Sequence, residues 1–124
     1  MRHLSGKVAV VTGAGHGIGK ETALALAAKG CRMALCDINE VALEGVRREV
    51  EAAGATVSAH IVDVSKREQV EQFASEVVDA HGEVHVLINN AGVTVYASFE
   101  EPDIYDLEWI LGVNLWGVLY GCKF

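Results

Sequence analysis

Two hydrophobic periodicities take turns along the chain. Lys7–Thr12 is a β-branched run with apolar residues on both faces, the pattern of a parallel strand buried from both sides. From Ile18 to Lys29 the sequence turns Ala/Leu-rich, which favours a helix, and Gly30 marks its stop. The pair then recurs. Arg32–Cys36 is predicted as a strand, Glu40–Ala53 as a helix closed by Gly54, and Thr56–Val62 as a third strand. A helix follows from about Lys66 to Ala80, because Val70, Phe73, Ala74 and Val77 share one face by spacings of three and four, and Gly82 closes it. Val84–Ile88 is the fourth predicted strand, running into the turn Asn89-Asn90-Ala91-Gly92.

Strands that alternate with helices at this spacing need right-handed crossovers, so the predicted class is α/β, a doubly wound parallel sheet of about four strands. No linker or low-complexity tract divides residues 1–124, and one domain is expected. The segment from Thr94 to Asp103 carries the single proline, Pro102, and leads to a last predicted helix from about Tyr105. Its stripe of Leu107, Leu111, Asn114, Leu115, Val118 and Cys122 is still running at Phe124. The expectation is therefore a truncated domain, its sheet edge completed by a continuation or a partner, or else left marginally stable.

Composition narrows the function classes. An apolar fraction of 51% against 22% charged residues argues for a packed core over disorder. Ten basic and 17 acidic residues give a net charge of −7 with no Lys/Arg cluster, which speaks against nucleic acid. The apolar run Val8–Val11 is far too short for a signal segment or membrane span, so a cytoplasmic protein without membrane attachment is expected. Cys31, Cys36 and Cys122 lack Cys-x-x-Cys spacing and lie in apolar stretches, suiting thiols kept as small core hydrophobes in a reducing compartment.

The candidate chemistry begins where the first strand meets the first helix. Thr12-Gly13-Ala14-Gly15-His16-Gly17-Ile18-Gly19 places glycines where first-turn amides and the positive end of a helix dipole can face a diphosphate. Glycine leaves no Cβ in the path of a phosphate. The spacing is G-x-x-x-G-x-G, not G-x-G-x-x-G, and Gly19-Lys20-Glu21 rules out a P-loop, which requires Ser or Thr after the lysine. A turn that only packs helix on strand is the bland alternative. Asp37 weighs against it, following the second strand 18 residues beyond Gly19, near the ~20-residue offset of a ribose-binding carboxylate in Rossmann-type folds. An acid there repels a 2′-phosphate, and Ile38 and Asn39 supply no cation, so NAD is expected over NADP. The alternative role for Asp37 is a solvated turn or helix cap.

Taken together, the segments resemble the short-chain dehydrogenase/reductase family over essentially the whole chain. Thr12-Gly13-x-x-x-Gly17-Ile18-Gly19 is similar to its cofactor turn, Asp63-Val64 to its adenine contact, Asn89-Asn90-Ala91-Gly92 to its fourth-strand motif, and Asn114 to its helix asparagine. The resemblance implies that Gly13, His16, Gly17, Ile18 and Gly19 hold the diphosphate and that Asp63 and Val64 meet the adenine. It further implies that Asn90, Ala91 and Gly92 lie along NAD(H), and that Asn114 organises a catalytic proton-relay water. Each residue has a plainer role open to it: Asp63 as the cap of the helix near Lys66, Asn89 and Asn90 as partners of buried backbone, Asn114 as a bonded core amide.

An alcohol or ketone substrate and a homo-oligomer are likewise implied by the resemblance alone. The family's serine and Tyr-x-x-x-Lys pair has no counterpart here, since Tyr96, Tyr105 and Tyr120 lack a lysine four residues on, and Tyr120–Lys123 is spaced by three. Residues 1–124 are thus expected to bind cofactor without turning over alone, an inert nucleotide-binding module being the alternative. No metal site is expected, because Gly82 breaks the helix between His81 and His85.

Overall fold

A computed structural model describes residues 4–91. The elements run β1 (Val8–Thr12), α1 (Gly17–Ala28), β2 (Arg32–Asp37), α2 (Glu40–Ala52), β3 (Val57–Ile61), α3 (Arg67–His81) and β4 (Val86–Ile88). The strands form one sheet in the order β3-β2-β1-β4, with every neighbouring pair parallel. This is the Rossmann-type α/β arrangement expected from the alternating pattern. The segment after Ala91, with Gly92, the Tyr105 helix, Asn114 and Cys122, lies outside the described residues.

Period-two alternation sends each strand's side chains into two cores. Ala9, Val11, Met33 and Leu35 face α1 and α2, where they pack with Ala23, Leu43, Val46 and Val50. Val10, Ala34 and Cys36 face the other way, toward Val70, Phe73 and Val77 of α3. Burial on both faces is why the β1 and β2 sequences read as continuous apolar runs. Cys31 and Cys36 are buried and unpaired. Among the described residues no helix is long and apolar enough to cross a membrane.

Local chemistry sets the element ends. Asn39 caps α2 by accepting from the Ala42 N–H through its Oδ1 at 3.0 Å. Gly30, Gly54 and Gly82 take positive φ where helices stop. β4 is shorter than the predicted Val84–Ile88 because the His85 ring replaces a rung of the ladder. Its Nδ1 accepts the Val8 N–H at 3.0 Å, while the His85 N–H donates to the Val8 carbonyl.

The seam between β3 and α3 is partly polar. Glu76 Oε2 meets His60 Nδ1 at 2.7 Å, His60 Nε2 meets Ser58 Oγ at 2.8 Å, and Ser58 Oγ meets His81 Nε2 at 2.8 Å. His60 also lies against Phe73, with ring centroids 5.0 Å apart. With Glu76 ionised and both rings neutral, one proton arrangement satisfies all three contacts. His60 donates to Glu76, Ser58 donates to His60, and His81 donates to Ser58. His81 Nδ1 is then a bare lone pair, buried and without a partner among the described residues.

Burial, reinforced by Arg32 and by His60, holds the His81 pKa below the usual histidine value. The unfolded chain therefore takes up this proton first as pH falls, so the folded state loses stability on acidification through about pH 6.5. The melting temperature is expected to drop between about pH 7.5 and 5.5, and His81→Gln, which keeps a donor for Ser58, should shrink that drop by about 2–5 °C. An unchanged drop in the variant would show that His81 does not carry it.

Candidate functional site

The carboxyl ends of the strands converge on a crevice of about 470 Å³. Its floor is tied together by Thr12, buried at the end of β1. The Thr12 hydroxyl oxygen accepts the N–H groups of Asn90 and Ala91 at 2.9 and 3.0 Å, and the hydroxyl donates to the Ile88 carbonyl at 3.4 Å. The Asn90 side chain donates to the Gly13 carbonyl at 3.3 Å, and the Ala14 N–H donates to the Cys36 carbonyl at 3.0 Å. β1, β2 and the turn after β4 are thereby locked together.

Glycines make this closeness possible, each for its own reason. Gly13 has φ +64°, and a Cβ there would come within 2.9 Å of the Ala91 Cα. Gly19 is more tightly enclosed: a Cβ would sit 2.1 Å from the Gly13 carbonyl oxygen and 2.5 Å from the Asn90 amide nitrogen. It begins a stripe of small buried residues, Gly19, Ala23 and Ala27, that lets α1 lie close on the sheet. Gly17 has open space around it but φ +60°, so its requirement is conformational. Beyond it, His16 stands as the N-cap of α1 without a side-chain cap bond, and no acidic residue occupies the first turn. The amides there and the positive end of the helix dipole suit an anion.

Asp37 is the buried carboxyl group of the crevice. Its side chain is 5% exposed. Oδ2 accepts the Gly15 N–H at 2.8 Å and Oδ1 accepts the Asn39 N–H at 2.9 Å. The cap of α2 is Asn39, so the helix-cap role does not fall to Asp37. A Cβ on Gly15 would approach the Asp37 carboxylate to 2.7 Å, which is why glycine stands there too. Asp63, beyond β3, binds the Ser65 N–H at 3.0 Å and the Ser65 hydroxyl at 2.6 Å through Oδ1, and the α3 N-cap is Lys66. Burial pushes the Cys36 thiol up to about 12, with the Asp37 charge adding to the effect, so this lining sulfur stays protonated.

Of the residues singled out in the sequence, Gly13, His16, Gly17, Ile18, Asp37, Asp63, Val64, Asn90 and Ala91 line the one crevice. Gly19 does not line it. Its place is beneath, against Gly13 and Asn90, where a missing Cβ serves packing. Gly92 and Asn114 fall outside the described residues. Sequence reasoning passed over the Thr12 hydroxyl, Gly15, the Asn39 N–H and the apolar walls Ile38 and Val62. Gly15 alone carried a signal, as the fourth glycine of the turn, which the G-x-x-x-G-x-G spacing leaves unexplained.

The two glycines of α1 should therefore respond differently to alanine. Gly19→Ala must displace backbone and is expected to cost about 1–3 kcal/mol, whereas Gly17→Ala meets no atom and should cost about 1–2 kcal/mol from left-handed strain alone. Chemical denaturation of both variants checks this. Equal tolerance of alanine at Gly19 and at a surface helix site would contradict the packing described.

The sequence matches the family described as short chain dehydrogenase over residues 7–124. A short chain dehydrogenase/reductase from Burkholderia phymatum, solved in complex with NAD, is 41% identical with a TM-score of 0.96, covering 99% of this chain and 44% of that one. The alcohol dehydrogenase from the archaeon Thermococcus sibiricus, complexed with 5-hydroxy-NADP, is 39% identical with a TM-score of 0.89, over 94% of this chain and 50% of that one. The 3-oxoacyl-(acyl-carrier-protein) reductase FabG of Thermotoga maritima is 36% identical over 115 residues, 93% of this chain and 47% of the relative. The chain spans less than half the length of such curated relatives, from 47% down to 19%. On the family match and on these identities, the chain belongs to the short chain dehydrogenase family.

Proposed function

We propose that residues 1–124 are the coenzyme-binding portion of an NAD-dependent oxidoreductase that moves hydride between NAD(H) and an alcohol or ketone. The observation that carries this reading is the state of Asp37. A carboxylate offers about four lone-pair positions, and the two oxygens each spend one on a backbone N–H. Each oxygen keeps acceptor capacity toward the crevice, matching the adjacent 2′- and 3′-hydroxyls of an adenosine ribose.

The rest of the crevice fits the same ligand. Gly13, His16, Gly17 and Ile18 border the place for the diphosphate, where glycine at 17 leaves the approach open. Asp63 and Val64 are assigned to the adenine, with Asp63 accepting from its amino group. Asn90, Ala91 and Gly92 are assigned to the length of the coenzyme toward its nicotinamide. Gly19 acts beneath the diphosphate by holding α1 against Gly13. Asn114 is assigned to a proton-relay water. Bound nicotinamide supplies the hydride chemistry. The substrate-side proton donor lies with groups other than a Tyr-x-x-x-Lys pair of these 124 residues, which contain none.

NAD over NADP follows from the fixed charge. Asp37 cannot turn aside without stranding two backbone N–H groups, so a 2′-phosphate would meet an anion held in place. Relatives supply both precedents, the Burkholderia phymatum protein with NAD and the Thermococcus sibiricus protein with 5-hydroxy-NADP. Calorimetric titration is expected to give tighter binding of NAD than NADP, and Asp37→Ala should cut the ratio of the two affinities by about ten- to a hundredfold, the worth of one or two charged hydrogen bonds. NADP bound as tightly as NAD by the native protein would refute the assignment.

A further inference from the structure

The backbone around Asp63 is pinned at several points. The Asp63 N–H donates to Gln69 Oε1 of α3 at 2.7 Å, and the Asp63 carbonyl accepts the Lys66 N–H at 3.0 Å. One residue earlier, the Val62 N–H donates to the Asp37 carbonyl at 3.1 Å, which ties the segment leaving β3 to the end of β2. Val62 and Val64, on either side of Asp63, are buried in one core with Val70 and Phe73 of α3.

The Asp63 side chain is fixed by a single neighbour. Ser65 gives Oδ1 both of its donors, the N–H at 3.0 Å and the hydroxyl at 2.6 Å. The hydroxyl contact is the shorter, as a bond from O–H to a carboxylate is expected to be. Oδ2 forms no hydrogen bond with the described residues. Turning the carboxylate about its Cβ–Cγ bond would break what Ser65 makes, so the unspent oxygen keeps a fixed bearing. Asp63 lines the crevice and Ser65 does not.

We infer that Ser65 is the positioning residue for recognition of the coenzyme's base: by holding Oδ1, it sets Oδ2 to accept from the exocyclic amino group of adenine and to repel the carbonyl oxygen of hypoxanthine. The inference rests on the proposed placement of adenine beside Asp63 and Val64. A carboxylate has lone pairs and no proton to donate, so an amino group is a partner for it and a carbonyl oxygen is not. A site built to bond one polar group discriminates against an analogue that lacks it, provided the bonding atom is held in place. Gln69 secures the Asp63 backbone, and Ser65 secures the oxygen that does the choosing.

The experiment measures dissociation constants by calorimetry for NAD and for nicotinamide hypoxanthine dinucleotide, which carries a carbonyl in place of the amino group. It uses the full-length native protein with Ser65→Ala, Ser65→Val and Ser65→Thr, and thermal melting checks that each is folded. Threonine keeps the hydroxyl and valine has threonine's shape without it, so that pair carries the comparison independently of alanine. The native protein is expected to bind NAD about tenfold or more tightly than the hypoxanthine dinucleotide, the worth of a hydrogen bond to a charged group. Ser65→Thr should keep that ratio within about twofold, while Ser65→Ala and Ser65→Val should lower it by about threefold or more. A general loosening of the turn weakens both dinucleotides together and leaves the ratio unmoved. Equal ratios in the threonine and valine variants, or a native ratio retained by alanine, overturn the role of Ser65 and leave the adenine site standing. A native protein that binds both dinucleotides equally overturns the placement of adenine at Asp63, and this inference with it, without touching the ribose assignment of Asp37. Failure of the native protein to bind NAD overturns the crevice as a coenzyme site altogether.

Discussion

Everything at the site depends on how closely α1 can approach the end of β1. The Gly13 carbonyl and Gly19 stand so near that a single methyl group at 19 would collide with backbone. That proximity puts the first turn of α1 at the mouth of the crevice, with its amides and dipole directed where the strands end. The stripe of Gly19, Ala23 and Ala27 extends the same constraint along the helix. Thr12 answers it from below, binding the turn after β4 so that three separate chain segments share one floor.

On this floor a second constraint acts, the burial of one negative charge. A buried carboxylate is costly unless hydrogen-bonded, and Asp37 meets the condition with two backbone amides, one from the glycine turn and one from the start of α2. The same bonds fix its orientation. A residue that is structural toward the protein is therefore preorganised toward whatever occupies the crevice, and the proposed preference for NAD rests on its charge.

The alternation of β-branched runs with Ala/Leu-rich segments made the sheet and its three helices legible, because both faces of β1 and β2 are buried and leave continuous apolar stretches. Element ends were legible to within a residue or two where glycine stops a helix, as at Gly30, Gly54 and Gly82. β4 was the exception, since no pattern reveals that the His85 ring would take the Val8 N–H. At the site, Asp37 and the glycine turn stood out by spacing. The distinct job of Gly19, the hydroxyl of Thr12 and the amide of Asn39 did not, because each depends on which backbone atom lies opposite in space. His81 was likewise hidden: a histidine at a helix end looks solvated until the strand beneath supplies Ser58 and His60.

Asp37 is proposed as the receptor of the ribose. A crystal structure of the protein with NAD bound tests this directly. Both ribose hydroxyls should lie within about 3 Å of the Asp37 carboxylate oxygens, with the diphosphate over the first turn of α1. NAD seated elsewhere, or a ribose whose hydroxyls point away from Asp37, would contradict it.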